Sequence, residues 1–366
     1  MDICGEYLER NDSRRRFLQS LAALGAAAIV PVNKSMAQGI VGGSGGPVAA
    51  KANRIDVHHH ILSPAYRNQQ REQILAITDS DPANLFNWTP EKALDEMNKY
   101  GIATGMGSIP LPGVWFGNVQ EGRTIARQWN EYTAQLAKDH PGRFGLMAAL
   151  PLPDQDGSLR EMEYALDVLK ADGIGLITSY GDKWPGDPAF APVFEELNRR
   201  KAVVYFHPNA PNCCFSLIPG VPPSWTEFLF DTTRAIDSLL VNGAFTRYAD
   251  IRFIFSHGGG TIAVLANRIA AQFARHKELA AGAPNGVIAE LKKLYFEVAN
   301  SVNPSAMSAL MNLVPQSQML FGSDYPYVAV GTTAGALDQF GLAAPALQAI
   351  NRDNAARLFP RLKSGA

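Results

Sequence analysis

Arg54-Ile55-Asp56-Val57-His58-His59-His60 is the stretch on which the reading of this chain turns. A short apolar run ends abruptly in histidines. On a β-strand, residues i and i+2 point to the same side. His58 and His60 can therefore aim two imidazoles at one point, while His59 points away. Histidine is the commonest protein ligand for a transition metal. The chain holds only 7 histidines in 366 residues, so three in succession mark a site rather than background.

Working outward, short apolar runs recur at 55–57, 103–109, 143–150, 174–178, 203–206, 252–256, 294–299 and 318–322. Helical patterns lie between most of them, at 90–100, 123–139, 158–171, 191–200, 228–242 and 261–277. Strands alternating with helices imply parallel β/α units. Eight such runs predict an α/β fold of the (β/α)8 TIM-barrel type. A doubly wound open sheet is the alternative, but no glycine fingerprint follows the first strand.

The chemistry falls at the ends of these runs. His58 and His60 end the first, and His207 ends the fifth. His257 ends the sixth, ahead of Gly258-Gly259-Gly260. Asp324 follows the eighth in Phe321-Gly322-Ser323-Asp324-Tyr325-Pro326. Active sites of such barrels occupy the C-terminal face of the strands. Five metal-competent or proton-transfer groups thus converge on one mouth. Nitrogen and oxygen ligands suit Zn²⁺ or a similar divalent ion such as Mn²⁺. Three histidines and one carboxylate leave room for a water or a substrate oxygen, and a further histidine can carry protons. The glycines after His257 let backbone approach the site closely.

Composition narrows the class. Lysine plus arginine number 33 against 34 acidic residues, for a net charge of −1, so no basic excess points to nucleic acid. Cys4, Cys213 and Cys214 imply no disulfide framework, because neighbouring cysteines rarely bridge. Ser13-Arg14-Arg15-Arg16-Phe17-Leu18-Gln19, an apolar run to Val32 and Ser35-Met36-Ala37 together read as a twin-arginine export signal over residues 1–37. That expects a periplasmic location with no membrane anchor once the signal is removed. Residues 38–52, including GIVGGSGG, read as a flexible linker, and 53–363 as the barrel.

The motifs Asp56-Val57-His58-His59-His60, His207-Pro208, Ser256-His257-Gly258-Gly259-Gly260 and Phe321 to Pro326 resemble the amidohydrolase superfamily. They are most similar to the branch containing aminocarboxymuconate semialdehyde decarboxylase and 6-methylsalicylate decarboxylase. Arg143-Phe144-Gly145, Ala149-Leu150-Pro151, Gly186-Asp187-Pro188 and Glu196-Leu197-Asn198 extend the resemblance, which runs from about Asn53 to Pro360. It implies that His58, His60 and His207 bind the metal. Asp324 would be an added ligand able to transfer a proton, and His257 an unliganded acid/base. In that branch an arginine after the glycine-rich turn crosses a dimer interface to a substrate carboxylate. Arg268, eleven residues beyond His257, matches it and implies a homodimer. Trp184, in the loop after the fourth run, is a candidate substrate wall. Resorcylate-type relatives place glutamate where this chain has His58, so the likeness is to the zinc-dependent types. The fourth run, 173–179, lacks the lysine that bridges two metals elsewhere in the superfamily, so one ion is expected.

The expected reaction is non-oxidative decarboxylation of a small aromatic or unsaturated carboxylic acid, 6-methylsalicylate-like. The same ligands could instead direct a hydroxide at an ester, lactone, amide or carbon–carbon bond. A third reading, an exported metal- or ligand-binding protein without catalysis, leaves His257 without a role.

Overall fold

The computed structural model describes residues 52–215 and 217–362. The export signal, Cys4 and all but the last residue of the linker read from the sequence lie outside them. No helix among the described residues is long and apolar enough to cross a membrane.

Eight strands form one sheet in sequence order: β1 (Arg54–His60), β2 (Ile102–Ser108), β3 (Phe144–Ala149), β4 (Gly173–Ile177), β5 (Val203–His207), β6 (Arg252–Phe255), β7 (Tyr295–Glu297) and β8 (Met319–Leu320). Every neighbouring pair is parallel. The sheet closes on itself. Val57 N–H donates to Phe321 O at 3.0 Å, Asp324 N–H to His58 O at 2.8 Å and His60 N–H to Tyr325 O at 2.8 Å. This closure excludes the open doubly wound sheet and gives the expected TIM barrel.

Two buried layers hold the barrel. Outward-facing residues such as Leu146, Val204, Phe206 and Phe255 pack against the surrounding helices. Inward-facing Val57, Met106, Met147, Tyr205, Ile254 and Leu320 fill the interior, and Leu358 and Phe359 from the C-terminal helical segment pack against them. Burying a side chain of this size removes about 1.5–3 kcal/mol of apolar hydration cost each. On β4, a Cβ at Gly173 would lie 2.8 Å from the Met147 methyl, so glycine there admits the methionine.

Strand β1, which carries the three histidines, departs from simple alternation. Ile55 and Val57 face the interior with the other filling residues. Strict alternation would then turn His58 and His60 outward. Between Asp56 and His59, three steps on β1 oppose the two from Gly105 to Gly107 on β2. This one-residue bulge flips the alternation, so that both histidines join the interior column. Bulges that re-aim a side chain recur beside active sites.

Between β1 and the helix Pro90–Lys99, where the sequence shows no periodic pattern, lie three short helices, Pro64–Gln69, Arg71–Ile77 and Pro82–Phe86. Two begin with a capping residue followed by proline: Ser63-Pro64 and Asp81-Pro82. The helix Pro223–Val241 likewise starts five residues before the periodicity predicted. Helices Pro304–Leu313 and Val330–Gln339 complete the later β/α units.

Candidate metal centre and active site

The four residues expected to bind metal come together. His58 and His60 arrive from the bulged end of β1, His207 from the last position of β5, and Asp324 from the turn after β8. His58 Nε2 lies 3.1 Å from His60 Nε2 and 3.1 Å from Asp324 Oδ1. His60 Nε2 lies 3.3 Å from the same oxygen. One donor atom from each of the four residues falls within 4.8 Å of all the others. Bonds of about 2.0–2.2 Å to one cation place neighbouring ligand atoms roughly 3.3 Å apart, so the cluster could hold a divalent cation.

Each imidazole is oriented by its other nitrogen. His58 Nδ1 donates to Glu297 Oε1 at 2.8 Å, and His207 Nδ1 to Pro208 O at 2.8 Å. His60 Nδ1 meets Ser108 Oγ at 3.3 Å. Protonation at Nδ1 leaves all three Nε2 lone pairs free for an ion, the usual logic of an outer hydrogen-bond partner on a metal-binding histidine. Glu297, His58 and His257 form a second possible ligand group. Glu297 is already committed, however. Its Oε1 also accepts from His257 N–H at 2.7 Å, and Oε2 from Ala299 N–H at 2.6 Å. It therefore orients the site. Gly322 makes this possible, because a Cβ there would sit 2.1 Å from Glu297 Oε2.

Asp56 performs a matching task on the other side. Its buried carboxylate accepts from His58 N–H at 3.2 Å, Ser323 N–H at 2.9 Å, Ser323 Oγ–H at 2.5 Å and His59 Nδ1–H at 3.0 Å. One side chain thus locks the turn bearing Asp324 to the strand bearing His58. His59 itself stacks on Tyr325 at 5.2 Å, away from the cluster.

The electrostatics match a cation centre. Burial depresses His207 far below its ordinary range, with His60 and His58 adding to the effect, so it is neutral and ready to ligate. Burial likewise lowers His60. Burial also works against a charged His58, but the carboxylates of Asp324 and Glu297 outweigh it and raise that group to about 10. Burial disfavours ionised Asp324 too, yet His58 and the hydrogen bonds around it hold its carboxyl well below the usual range.

His257 stands beside these ligands. Its Nε2 lies 3.3 Å from Asp324 Oδ2, which also accepts from Asn300 Nδ2 at 3.0 Å. His257, Asp324 and His207 line a cavity of about 560 Å³. Its walls include Leu111, Phe228, Leu229, Leu310 and Tyr327. The arrangement offers a Lewis-acid position, a proton carrier adjacent to it, and a mostly apolar chamber for a small molecule.

Two predicted site residues are not brought to this cavity. Trp184 lines a separate surface depression with Asp237 and Asn242, and its indole N–H is held by Asp231 Oδ1 at 2.7 Å. Asp231 also accepts from Thr178 and Ser179 hydroxyls, so Trp184 pins the loop after β4 to the helix Pro223–Val241. Arg268 is exposed on the helix Ile262–Arg275, one turn beyond Val264, which does line the cavity mouth.

The sequence of residues 55–361 matches the family model described as amidohydrolase. The chain belongs to the amidohydrolase family. Its similarity to decarboxylase yanB of Aspergillus niger is 36% identity, covering 86% of this chain and 89% of that protein. To 6-methylsalicylic acid decarboxylase of Penicillium expansum it is 31% identical, over 85% of this chain and 97% of that one. A crystal structure of an amidohydrolase II superposes with a TM-score of 0.76 at 29% identity, covering 84% of this chain and 99% of the other.

Within this amidohydrolase, sequence reasoning missed Glu297, Asp56, Asn300 and Ser108. A carboxylate in the otherwise apolar run Tyr295-Phe296-Glu297-Val298 was the available signal, since charge inside a buried strand requires partners. Asp56 stood inside the opening motif itself.

Proposed function

We propose that this amidohydrolase is a metal-dependent, non-oxidative decarboxylase of a small aromatic or unsaturated carboxylic acid of the 6-methylsalicylate type. The observation that carries the reading is the pairing of the His58–His60–His207–Asp324 cluster with a further histidine, His257, that stands outside it and lines the same cavity. Two relatives above 30% identity that bear the name decarboxylase support the same reading.

The cluster would hold one divalent ion, zinc by its imidazole-rich donor set and manganese as the alternative. When bound, that ion supplies Lewis-acid polarisation of the substrate's oxygens. The chain's own residues do the rest. His257 Nε2 and Asp324 Oδ2, 3.3 Å apart, hold a proton beside the cavity. Delivery of that proton to the carbon bearing the carboxylate interrupts the conjugation. The carbon–carbon electron pair then returns to the ring as carbon dioxide leaves. Leu111, Phe228 and Tyr327 exclude water and orient the ring.

Hydrolysis is the second reading, and one observation favours it. Among the described residues, no lysine or arginine lines the cavity. A carboxylate clamp would have to come from the Arg268 of a second copy in a homodimer. We further propose that residues 53–363 form the catalytic barrel, behind an export signal (1–37) and linker (38–52) that direct it to the periplasm.

The deciding experiment screens salicylate-like and dihydroxybenzoate-like acids for carbon dioxide release in deuterated water, with ester hydrolysis run alongside. Deuterium at the vacated ring carbon is the expected result. Ester turnover without carbon dioxide release from any acid would replace this reading with the hydrolytic one.

A further inference from the structure

The cavity is larger than a one-ring acid requires. 6-Methylsalicylate has about eleven non-hydrogen atoms. Even at the ~30 Å³ that a water molecule occupies in the liquid, these fill roughly 330 Å³. The cavity holds about 560 Å³. Beyond the polar floor, its lining includes Ile77, Trp225, Phe228, Leu229, Val264 and Leu310.

Trp225 has an unusual position in this outer part. It is 62% exposed, yet it is fixed in place. Its Nε1–H donates to Asp79 Oδ2 at 2.8 Å, and the neighbouring Ser224 hydroxyl donates to Asp79 Oδ1 at 2.9 Å. Asp79 precedes the helix Pro82–Phe86, while Trp225 lies in the first turn of Pro223–Val241, so these bonds bridge two elements at the cavity mouth. An indole whose polar end is already satisfied presents only an apolar face to whatever enters. A side chain held this way loses little freedom on binding. The exposed Leu217 and Ile218 nearby in sequence show no such fixation and do not line the cavity.

We infer that the natural substrate carries an uncharged hydrophobic substituent of several carbons in this outer chamber, and that Trp225 selects for it. The inference rests on the decarboxylase reading and narrows its substrate class. A second carboxylate is disfavoured there, because Asp79 would meet it with like charge and no lysine or arginine among the described residues lines the cavity. An alkyl or aryl group satisfies the walls.

The test is a series of salicylate-type acids alkylated from methyl to heptyl, assayed with the metal-loaded enzyme. Calorimetry with the corresponding alkylphenols reads binding without turnover. In wild type, kcat/KM and phenol affinity should each rise roughly fourfold per added methylene until the chamber is full. Trp225→Ala should flatten that slope in both measurements, and Trp225→Phe should recover part of it. Leu217→Ala should leave the slope unchanged. Carbon dioxide release from the methyl compound with no gain along the series overturns the inference while sparing the decarboxylase reading. Rising phenol affinity with no carbon dioxide from any member supports the chamber and defeats that reading.

Discussion

Replacing Glu297 with glutamine tests whether one buried carboxylate organises both the metal ligand and the proton carrier. The wild-type side chain accepts three hydrogen bonds, from His58 Nδ1 at 2.8 Å, His257 N–H at 2.7 Å and Ala299 N–H at 2.6 Å. Glutamine offers one carbonyl oxygen and an amide that can only donate. Whichever way the amide points, at least one N–H is left facing another donor. The group is fully buried, so that orphan costs about 1–3 kcal/mol of stability. Loss of the charge also makes His58 a poorer electron donor. Changes at such outer partners typically weaken metal affinity about 10–100-fold. The assay is zinc competition against a chelating dye, with the apo protein prepared by dialysis, and thermal unfolding measured in parallel. Gly322→Ala should give the same defect by another route, since its Cβ would displace Glu297 Oε2. Zinc affinity within twofold of wild type in Glu297→Gln would refute the reasoning.

Other expectations are separable from this one. His257→Ala should keep one divalent ion per chain by elemental analysis but lose turnover about 10²–10⁴-fold, the usual worth of a positioned proton carrier; unchanged turnover would remove its role. Arg268→Ala should raise KM for acid substrates by about tenfold or more, as expected when a charged hydrogen bond is lost, with little change in kcat. An unaltered KM, or a dimer that leaves Arg268 far from both mouths, would end that proposal. Burial without a partner pushes Asp237 up to about 6. Its folded state therefore holds a proton that the unfolded chain releases near its ordinary range, and stability falls as pH rises from ~4 to ~6. Asp237→Asn should remove that loss, adding about 1–2 kcal/mol near pH 7 after discounting for partial exposure, and nothing at pH 4; equal denaturation midpoints at both pH values would contradict it. Residues 1–40 fused to a reporter should direct its export, and export that survives replacement of Arg14 and Arg15 would sink the twin-arginine reading.

The barrel was legible because its strands are apolar runs buried on both faces, and such runs alternate visibly with amphipathic helices. The residues of the candidate metal centre were legible because histidines at strand ends have few other uses. Three things were not. The three short helices of 64–90 escaped because each is too brief for a periodic signal, although Ser63-Pro64 and Asp81-Pro82 carried the capping chemistry. The bulge in β1 escaped because spacing alone placed His58 and His60 on one side without saying that Val57 shares it. The placement of Trp184 was not legible, because a loop position at the right end of a strand does not fix which way a side chain turns. Here Asp231, an element away, decides it.

The backbone shows where this fold accepts strain. Six described non-glycine residues have positive φ, and three of them meet at the site: His257 at +52°, Asn300 at +55° and Asp324 at +65°. Such conformations cost about 1–2 kcal/mol each and persist only where the surroundings over-determine them. Those surroundings are identifiable. His257 is held by its N–H to Glu297, and Asp324 by its N–H to His58 O. Asn300 is held by its N–H to Thr333 Oγ1 at 3.3 Å and by its side chain on Asp324. Each anchor but one is itself a member of the candidate metal cluster or bonded directly to it. The geometry of the candidate metal cluster and that of His257 therefore rest on one shared set of bonds. Perturbing Glu297 should degrade both functions together, whereas truncating His257 beyond its backbone should remove only the second. That contrast between two neighbouring substitutions separates a shared scaffold from two independent sites.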